Sequence, residues 1–372
     1  MTAMGVKMRR SFLAIALGSA ACARSPEISA ETPGPTLELF GTVVLAESDS
    51  LLLSKPVGLA ISTGNDRYIA TDIAGGKVIS WTATGILNNS WGRVGRGPGE
   101  LSGPAAVVRS GRTLWVLDYG SQSWKQLDMQ DGTQLASVPF TGSAGNDVLS
   151  EFSDTLWFGL RGANTVLGLL VPGNDSAIGF VRVPSIYTEL AASGIGRISS
   201  ITRAKTANAT MLAFGALNGF YLLESDTLVT DSLLIPYARR RGMSASRLRA
   251  SKGEFATLMN GISVLSSAAA SSRPGEIITV HYDPTVAGTD VPRITARLFV
   301  SIINLNDRTA CVDAEVSQTG DGRPVVQLVG DSLFVLRQTI VGTGVTTHVD
   351  QYIVSTATCQ WLPMRRGALI DP

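Results

Sequence analysis

Apolar and polar residues alternate along most of this chain in short runs of strand length, separated by Gly, Asp and Asn. The clearest unit runs from Gly92 to Gly132, GRVGRGPGELSGPAAVVRSGRTLWVLDYGSQSWKQLDMQDG: a glycine-rich connection, a short strand, a turn, the strand TLWVLD, a turn, the strand WKQLDM and an Asp-Gly turn. Echoes of it recur at spacings of about 45 to 55 residues, the mark of a repeat architecture. The unit before it has a strand near Val57–Ser62, RYIATD ending at Asp72, KVISWT and ILNNSW. After it come DTLWFGL with TVLGLLV and AIGFVRV; ATMLAFG with FYLLES and LVTDSLLI; GISVLS with EIITVHY, RLFVSIINL and ACVDAEV; and PVVQLV with DSLFVLR, HVDQYIV and CQWLPM. Six blocks of four short strands predict an all-β fold, a six-bladed β-propeller of four-stranded antiparallel blades. One strand, Leu37–Ala46, has no local partner, and the reading makes it the N-terminal strand closing the last blade, where it covers an exposed edge.

The N-terminus reads as an export signal rather than as part of the fold. Lys7, Arg9 and Arg10 precede the apolar run FLAIALGSAA, too short for a stable membrane span. Ala21-Cys22-Ala23 fits ordinary signal cleavage, while Ser19-Ala20-Ala21-Cys22 matches a lipobox with Ser19 in place of the usual leucine. The lone cysteine after the apolar run favours lipidation of Cys22, and the polar, Pro-containing segment that follows favours a tether. The expected organisation is a signal and lipobox over 1–22, a flexible tether over 23–36 and one propeller over 37–372. The expected location is the periplasm or outer membrane through the anchor, or secretion if the cysteine is incidental.

The residues GRGPGE (Gly95–Glu100), TLWVLD (Thr113–Asp118) and the echoes DTLWFGL and DSLFVLR carry a resemblance. The chain resembles the six-bladed β-propellers of the NHL/TolB-like group, in particular bacterial exported lipoproteins of that architecture. The resemblance implies a scaffold for protein or ligand recognition and assigns no chemistry.

Composition narrows the function further. A net charge of +1 gives no case for nucleic acid, and two histidines, His281 and His348, are too few for a histidine-rich metal site or a persuasive serine-histidine-acid arrangement. Strand parity in a four-stranded blade puts the turn after each second strand on the same face as the links between blades, around one mouth of the ring. The ends of the second strands then bring Asp72, Asp118, Arg161, Asp283 and Arg337 to that face, with Gly215 breaking the set and His281 near it. These residues either form a polar rim for a ligand or cation or merely cap strand ends, as Asp commonly does.

The link from Tyr237 to Lys252 is basic, with Arg239, Arg240, Arg241, Arg247 and Arg249, and could hold a short helix capped by Ser244 or Ser246. Parity sets it on the face that carries Arg93 and Arg96, and arginine forks suit carboxylates and phosphates. GRVGRGPGE lacks the phosphate-loop pattern and leads into a strand, so it reads as a linker. The expected function is therefore non-enzymatic binding of an envelope protein or anionic small ligand by a monomeric, lipid-anchored propeller without cofactor. The alternative is a calcium-dependent, lactonase-like hydrolase with Asp72, Asp118 and Asp283 near a Ca2+ ion. Cys311 and Cys359 are candidates for a disulfide in an oxidising compartment, although as outer-strand starts on adjacent blades they would splay apart.

Overall fold

The computed structural model describes residues 33–48, 51–62, 66–139, 143–152, 155–161, 165–170, 178–182, 201–224, 227–237, 239–243, 250, 254–287, 293–317, 325–342 and 344–367. The signal region and Cys22 lie outside the described residues, as do Arg247 and Arg249 and the serines expected to cap the link helix. Among the described residues no helix is long and apolar enough to cross a membrane.

The described strands form six antiparallel sheets in chain order. The first holds Pro56–Ile61, Arg67–Asp72, Lys77–Thr82 and Leu87–Trp91. The second holds Pro104–Ser110, Thr113–Asp118, Ser123–Asp128 and Gln134–Pro139. The third holds Ser143–Phe152, Thr155–Arg161, Thr165–Leu170 and Ile178–Arg182. The fourth holds Ile201–Lys205, Thr210–Phe214, Gly219–Glu224 and Leu228–Leu234. The fifth holds Val264–Ala270, Glu276–Ala287, Arg293–Asn304 and Thr309–Glu315, and the sixth begins with Val325–Val329, Ser332–Val341 and Gly344–Ser355.

The first strands of successive sheets neighbour one another, and Val325–Val329 returns to Pro56–Ile61, so the arrangement is that of a propeller. The inner strands of the first, second and fourth sheets are packed on both faces, while their outer strands are partly exposed. Tyr68, Ile79 and Trp81 of the first sheet pack with Phe334 and Leu336 of the sixth, and Trp124 of the second meets Phe158 of the third edge to face at 5.5 Å. Fully burying one such side chain is worth about 1.5–3 kcal/mol, and burial on both faces is why an inner strand such as Thr113–Asp118 carries the consecutive apolar residues Leu114 to Leu117.

The outer strand of the sixth sheet comes from the other end of the chain. Thr36–Leu45 pairs antiparallel with Gly344–Ser355, from Thr36 opposite Ser355 to Leu45 opposite Thr347. The segment CQWLPM, expected in that place, goes elsewhere. Leu362–Pro363 pairs onto Thr309–Ala310 of the fifth sheet, and Arg365–Arg366 onto Leu233–Leu234 of the fourth. The chain end thus straps two neighbouring outer edges, and Arg366 and Arg308 both reach Asp231.

This routing joins the cysteines. Cys311 and Cys359 form a disulfide with their Cα atoms 5.5 Å apart. The expected splaying does not arise, because Cys359 belongs to the strap lying on the fifth sheet and not to a strand of the sixth. Beside the bridge, Gln360 N donates to Pro33 O at 3.1 Å and Thr358 Oγ1 to Gly34 O at 2.9 Å, so the segments leading into the first described strand and out of the last full one are pinned at one place. The bridge spans 48 residues. Reduction, or Cys311→Ser with Cys359→Ser, is expected to lower unfolding stability by about 2–4 kcal/mol, chiefly by releasing the unfolded chain. Urea denaturation with and without reductant measures this; an unchanged midpoint would show that the strap holds without the bridge.

Candidate functional site

Each second strand of the first two sheets ends in a carboxylate directed at its own incoming link. Asp72 is fully buried and accepts the backbone N–H of Ser54 at 3.0 Å, Lys55 at 2.9 Å and Ala74 at 3.1 Å. Asp118, equally buried, accepts from the backbone of Ser102 and, at 2.7 Å, Gly103. Lys125 Nζ lies 3.0 Å from Asp118 and donates to Glu100 O. In the fifth sheet Asp283 accepts from the Ser263 hydroxyl, whose oxygen in turn accepts Arg241 N. In the first two sheets the links therefore lie beside the second-strand ends, whereas in the fifth Asp283 does not end its strand as expected, because the hairpin runs on to Ala287.

The candidate calcium ligands are thus occupied in three different sheets, each by its own link. Among the described residues no group of three or more His, Cys, Asp and Glu side chains could hold a metal ion. The reason is geometric: a residue repeated once per sheet is carried round the ring, and each copy first meets the donors of its own link, backbone N–H groups for Asp72 and Asp118 and the Ser263 hydroxyl for Asp283.

Arg337, expected on the rim, is turned into its own sheet instead. It forms an ion pair with the fully buried Asp350 at 2.5 Å, and Thr42 of the N-terminal strand donates to the same carboxylate at 2.7 Å. The charge pair is a rivet for the closing strand. The backbone of Arg161 ends the second strand of the third sheet.

The basic link also differs from expectation. Arg240 is only 4 % exposed; its Nη2 donates to Gly215 O at 2.8 Å and its guanidinium lies 4.9 Å from the Tyr237 ring centroid. Gly215, which breaks the acidic set, serves as an acceptor for this arginine. Arg239 is half-buried, its backbone N–H held by Asp313 at 2.8 Å and its side chain 3.6 Å from Glu315. Only Arg241 of the three is exposed, with Nη1 on Asn260 O. Asn260 ends a short helix, Phe255–Asn260, whose N-cap is Glu254. Through its amide, Asn260 also accepts from Val286 N at 2.7 Å, bracing the tall hairpin of the fifth sheet.

The other basic link, over the second sheet, stays at the surface. Arg93 pairs with Glu100 at 2.8 Å with 79 % of its side chain exposed, and Arg96 is exposed. Two hydrogen bonds, first from Gly97 N and then from Arg93, hold the Glu100 carboxyl below its ordinary range.

His281 does not face the mouth. Its strand continues to Ala287, and its ring is wholly buried on the side of the fifth sheet that meets the fourth. It stacks on Phe299 at 5.2 Å, meets Tyr237 edge to face at 5.4 Å, and sits 3.7 Å from Asp313. Burial, and then the charge of Arg240, push the imidazole well below its usual 6.5. This seam is a feature that sequence reasoning missed. Tyr237, Arg240 and His281 stood in view separately, but nothing in their spacing joins a link to the middle of a strand.

No family model and no curated protein matches the sequence. Two consequences follow from the geometry. The unfolded chain takes up a proton on His281 near pH 6.5 while the folded chain refuses it, so folding stability falls as pH drops below that value, by up to about 1.4 kcal/mol per unit. His281→Gln should flatten this acid limb in urea titrations between pH 7.5 and 5; an unaltered limb would place its origin elsewhere. Arg240→Ser should cost about 1–3 kcal/mol by removing a buried charge-assisted hydrogen bond and leaving a void in the seam, whereas Arg96→Ser should stay within about 0.5 kcal/mol. Thermal melts of the two variants test that contrast.

Solved structures do match in fold. A member of the DUF4221 family from Bacteroides vulgatus is 6 % identical with a TM-score of 0.61, covering 87 % of this chain and 99 % of that one. A protein from Bacteroides fragilis described as exported is 10 % identical with a TM-score of 0.58, covering 85 % of this chain and 95 % of its own. At such identities the likeness is one of fold: this chain is an all-β protein of antiparallel sheets in a propeller arrangement, similar in fold to those two proteins.

Proposed function

We propose that this chain is a six-bladed, exported β-propeller of the bacterial cell envelope that binds an envelope protein or an anionic small ligand without catalysing a reaction on it. Six sheets whose first strands neighbour one another in a closed series support the blade number. The apolar run before Cys22, and the likeness to a protein described as exported, support export; the cysteine and the polar segment after it support a lipid anchor.

One observation carries the binding reading. The links of the first, second and fifth sheets are tied by buried or half-buried carboxylates to one face, so that face is stiff. Asp72, Asp118 and Asp283 are spent on the links, while Arg96 and Arg241 remain exposed, with Glu254 the exposed acid on the same link as Arg241. A preorganised surface with exposed cations attracts an anionic partner at long range, and salt screens that attraction beyond about 8 Å.

The test is capture from the native envelope by the purified propeller at low and physiological salt, comparing wild type with Arg96→Glu/Arg241→Glu. A partner held by wild type, weakened by salt and lost on charge reversal is the expected outcome. Binding indifferent to both changes would overturn the reading of this face. For the anchor, Cys22→Ser should move the protein from the membrane to the soluble fraction, and mass spectrometry of the wild-type N-terminus should show the lipid.

A further inference from the structure

The mouth face is uneven. In the first, second and fourth sheets the second strand ends at Asp72, Asp118 and Phe214 and turns at once into the third. In the sixth sheet the corresponding strands run on past Arg337 and His348 to Val341 and Gly344, a rise of about 13 Å at the usual strand spacing. Near the tip of this hairpin Ile340 pairs with Val345, and the two are 74 % and 51 % exposed.

From that hairpin an exposed path continues across two sheets. Gln338, two residues before Ile340, donates to Leu53 O at 2.6 Å, beside the exposed Leu52. Lys55 O accepts from Ile73 N at 3.2 Å and so lays this link along the turn of the first sheet. The far side of the same turn presses on Val94: a Cβ added to Gly76, which has a φ of +59°, would stand 2.8 Å from Val94 N. Val94 is 67 % exposed, and Arg96 follows it.

Large apolar side chains are normally scattered singly over a surface. Here four line one path, interleaved with the exposed cations Lys55 and Arg96. The acids along the path point inward. Asp72 takes the N–H of Ser54 and Lys55, Glu47 takes the Thr347 hydroxyl and Leu53 N, and Glu100 takes Gly97 N and Arg93.

We propose that this arc, over the sixth, first and second sheets, docks an acidic protein segment bearing exposed apolar side chains. The assignment rests on the binding reading above and gives it a location and a partner chemistry. The charge of the path, with cations outward and acids consumed, selects the acidic character; Ile340, Val345, Leu52 and Val94 select the apolar one. A protein is favoured over the bilayer by where the chain enters. Pro33 lies at the foot, beside Thr358 and Gln360, and Thr36–Leu45 climbs from there toward the mouth over about 30 Å. The proposed anchor at Cys22 precedes Pro33 and so joins the propeller at its foot, the end opposite the mouth.

The test uses the full-length chain expressed in its native host with a photoreactive phenylalanine derivative at Ile340, Val94, Arg241 or, as a control on an outer strand, Leu228. The expected result is one shared protein adduct from positions 340 and 94, absent from 228, whose crosslinked peptide is rich in Asp and Glu. Lys55→Glu/Arg96→Glu should reduce that adduct about tenfold, because charge reversal turns attraction into repulsion. A lipid adduct, a basic peptide, or equal labelling at 228 would overturn the proposal. Labelling at 241 alone would leave the binding reading standing and remove the arc; no labelling at any mouth position would remove both.

Discussion

Closure of the ring is the constraint on which the rest depends. A row of sheets packed face to face leaves an apolar face uncovered at each end, and burial removes that cost only when the last sheet meets the first. Here the core between the sixth and first sheets is built from Leu336, Phe334 and Val349 against Leu59, Tyr68 and Trp81. Leu45, from the N-terminal strand, is part of the same cluster. The strand that completes the sixth sheet therefore also lies next to the first link, and Trp81 Nε1 donates to Ala46 O at 2.8 Å across that joint. The chain end adds a second hold, wrapping outward over the fifth and fourth sheets and sealed by the disulfide.

Closure also explains where the buried charges are. Asp350 sits between Arg337 on one neighbouring strand and Thr42 on the other, at the strand pair that joins the two ends of the chain. Lys125 and Asp118 hold the link entering the second sheet, and Arg240 fills the seam between the fourth and fifth. A buried ion is costly unless it is paired or hydrogen-bonded, and these charges sit at joints where such partners are in reach. Residues that look like a ligand-binding rim when listed by strand position are thus turned, in the folded ring, toward the joints. What remains exposed on that face is the set of residues on the links and the tall hairpin, held in place by those joints.

Much of the fold was legible in the sequence because strands of a repeat announce themselves locally. Alternation of apolar and polar positions, turns at Gly and Asp, and recurrence of TLWVLD, DTLWFGL and DSLFVLR place most strands of the first four sheets closely. The hairpins of the fifth and sixth sheets run on well past the expected ends, and the first strands of the third and fourth sheets, Ser143–Phe152 and Ile201–Lys205, were not legible in the sequence. The lone strand at Leu37–Ala46 was legible as a partner for the last sheet because it had none nearby. The route of CQWLPM was not, since a short apolar run after the last full strand fits an outer strand of its own sheet as well as a strap over another. The choice between them lies in which edge is already filled, and Thr36–Leu45 fills it from 300 residues away.

The sequence by itself determined the class of architecture, most of the strand and turn positions, and the presence of two cysteines and a run of arginines after the fourth sheet. Only the tertiary structure decided what those side chains do. Arg240 and Arg241 are adjacent and chemically identical, yet one is sealed against Gly215 and Tyr237 and the other lies in solvent. Cys311 meets Cys359 because the chain end crosses to the fifth sheet. Strand formation depends on neighbours a few residues apart, whereas burial of a charge and the reach of a disulfide depend on which distant segments pack together. That second kind of information exists only once the ring has closed.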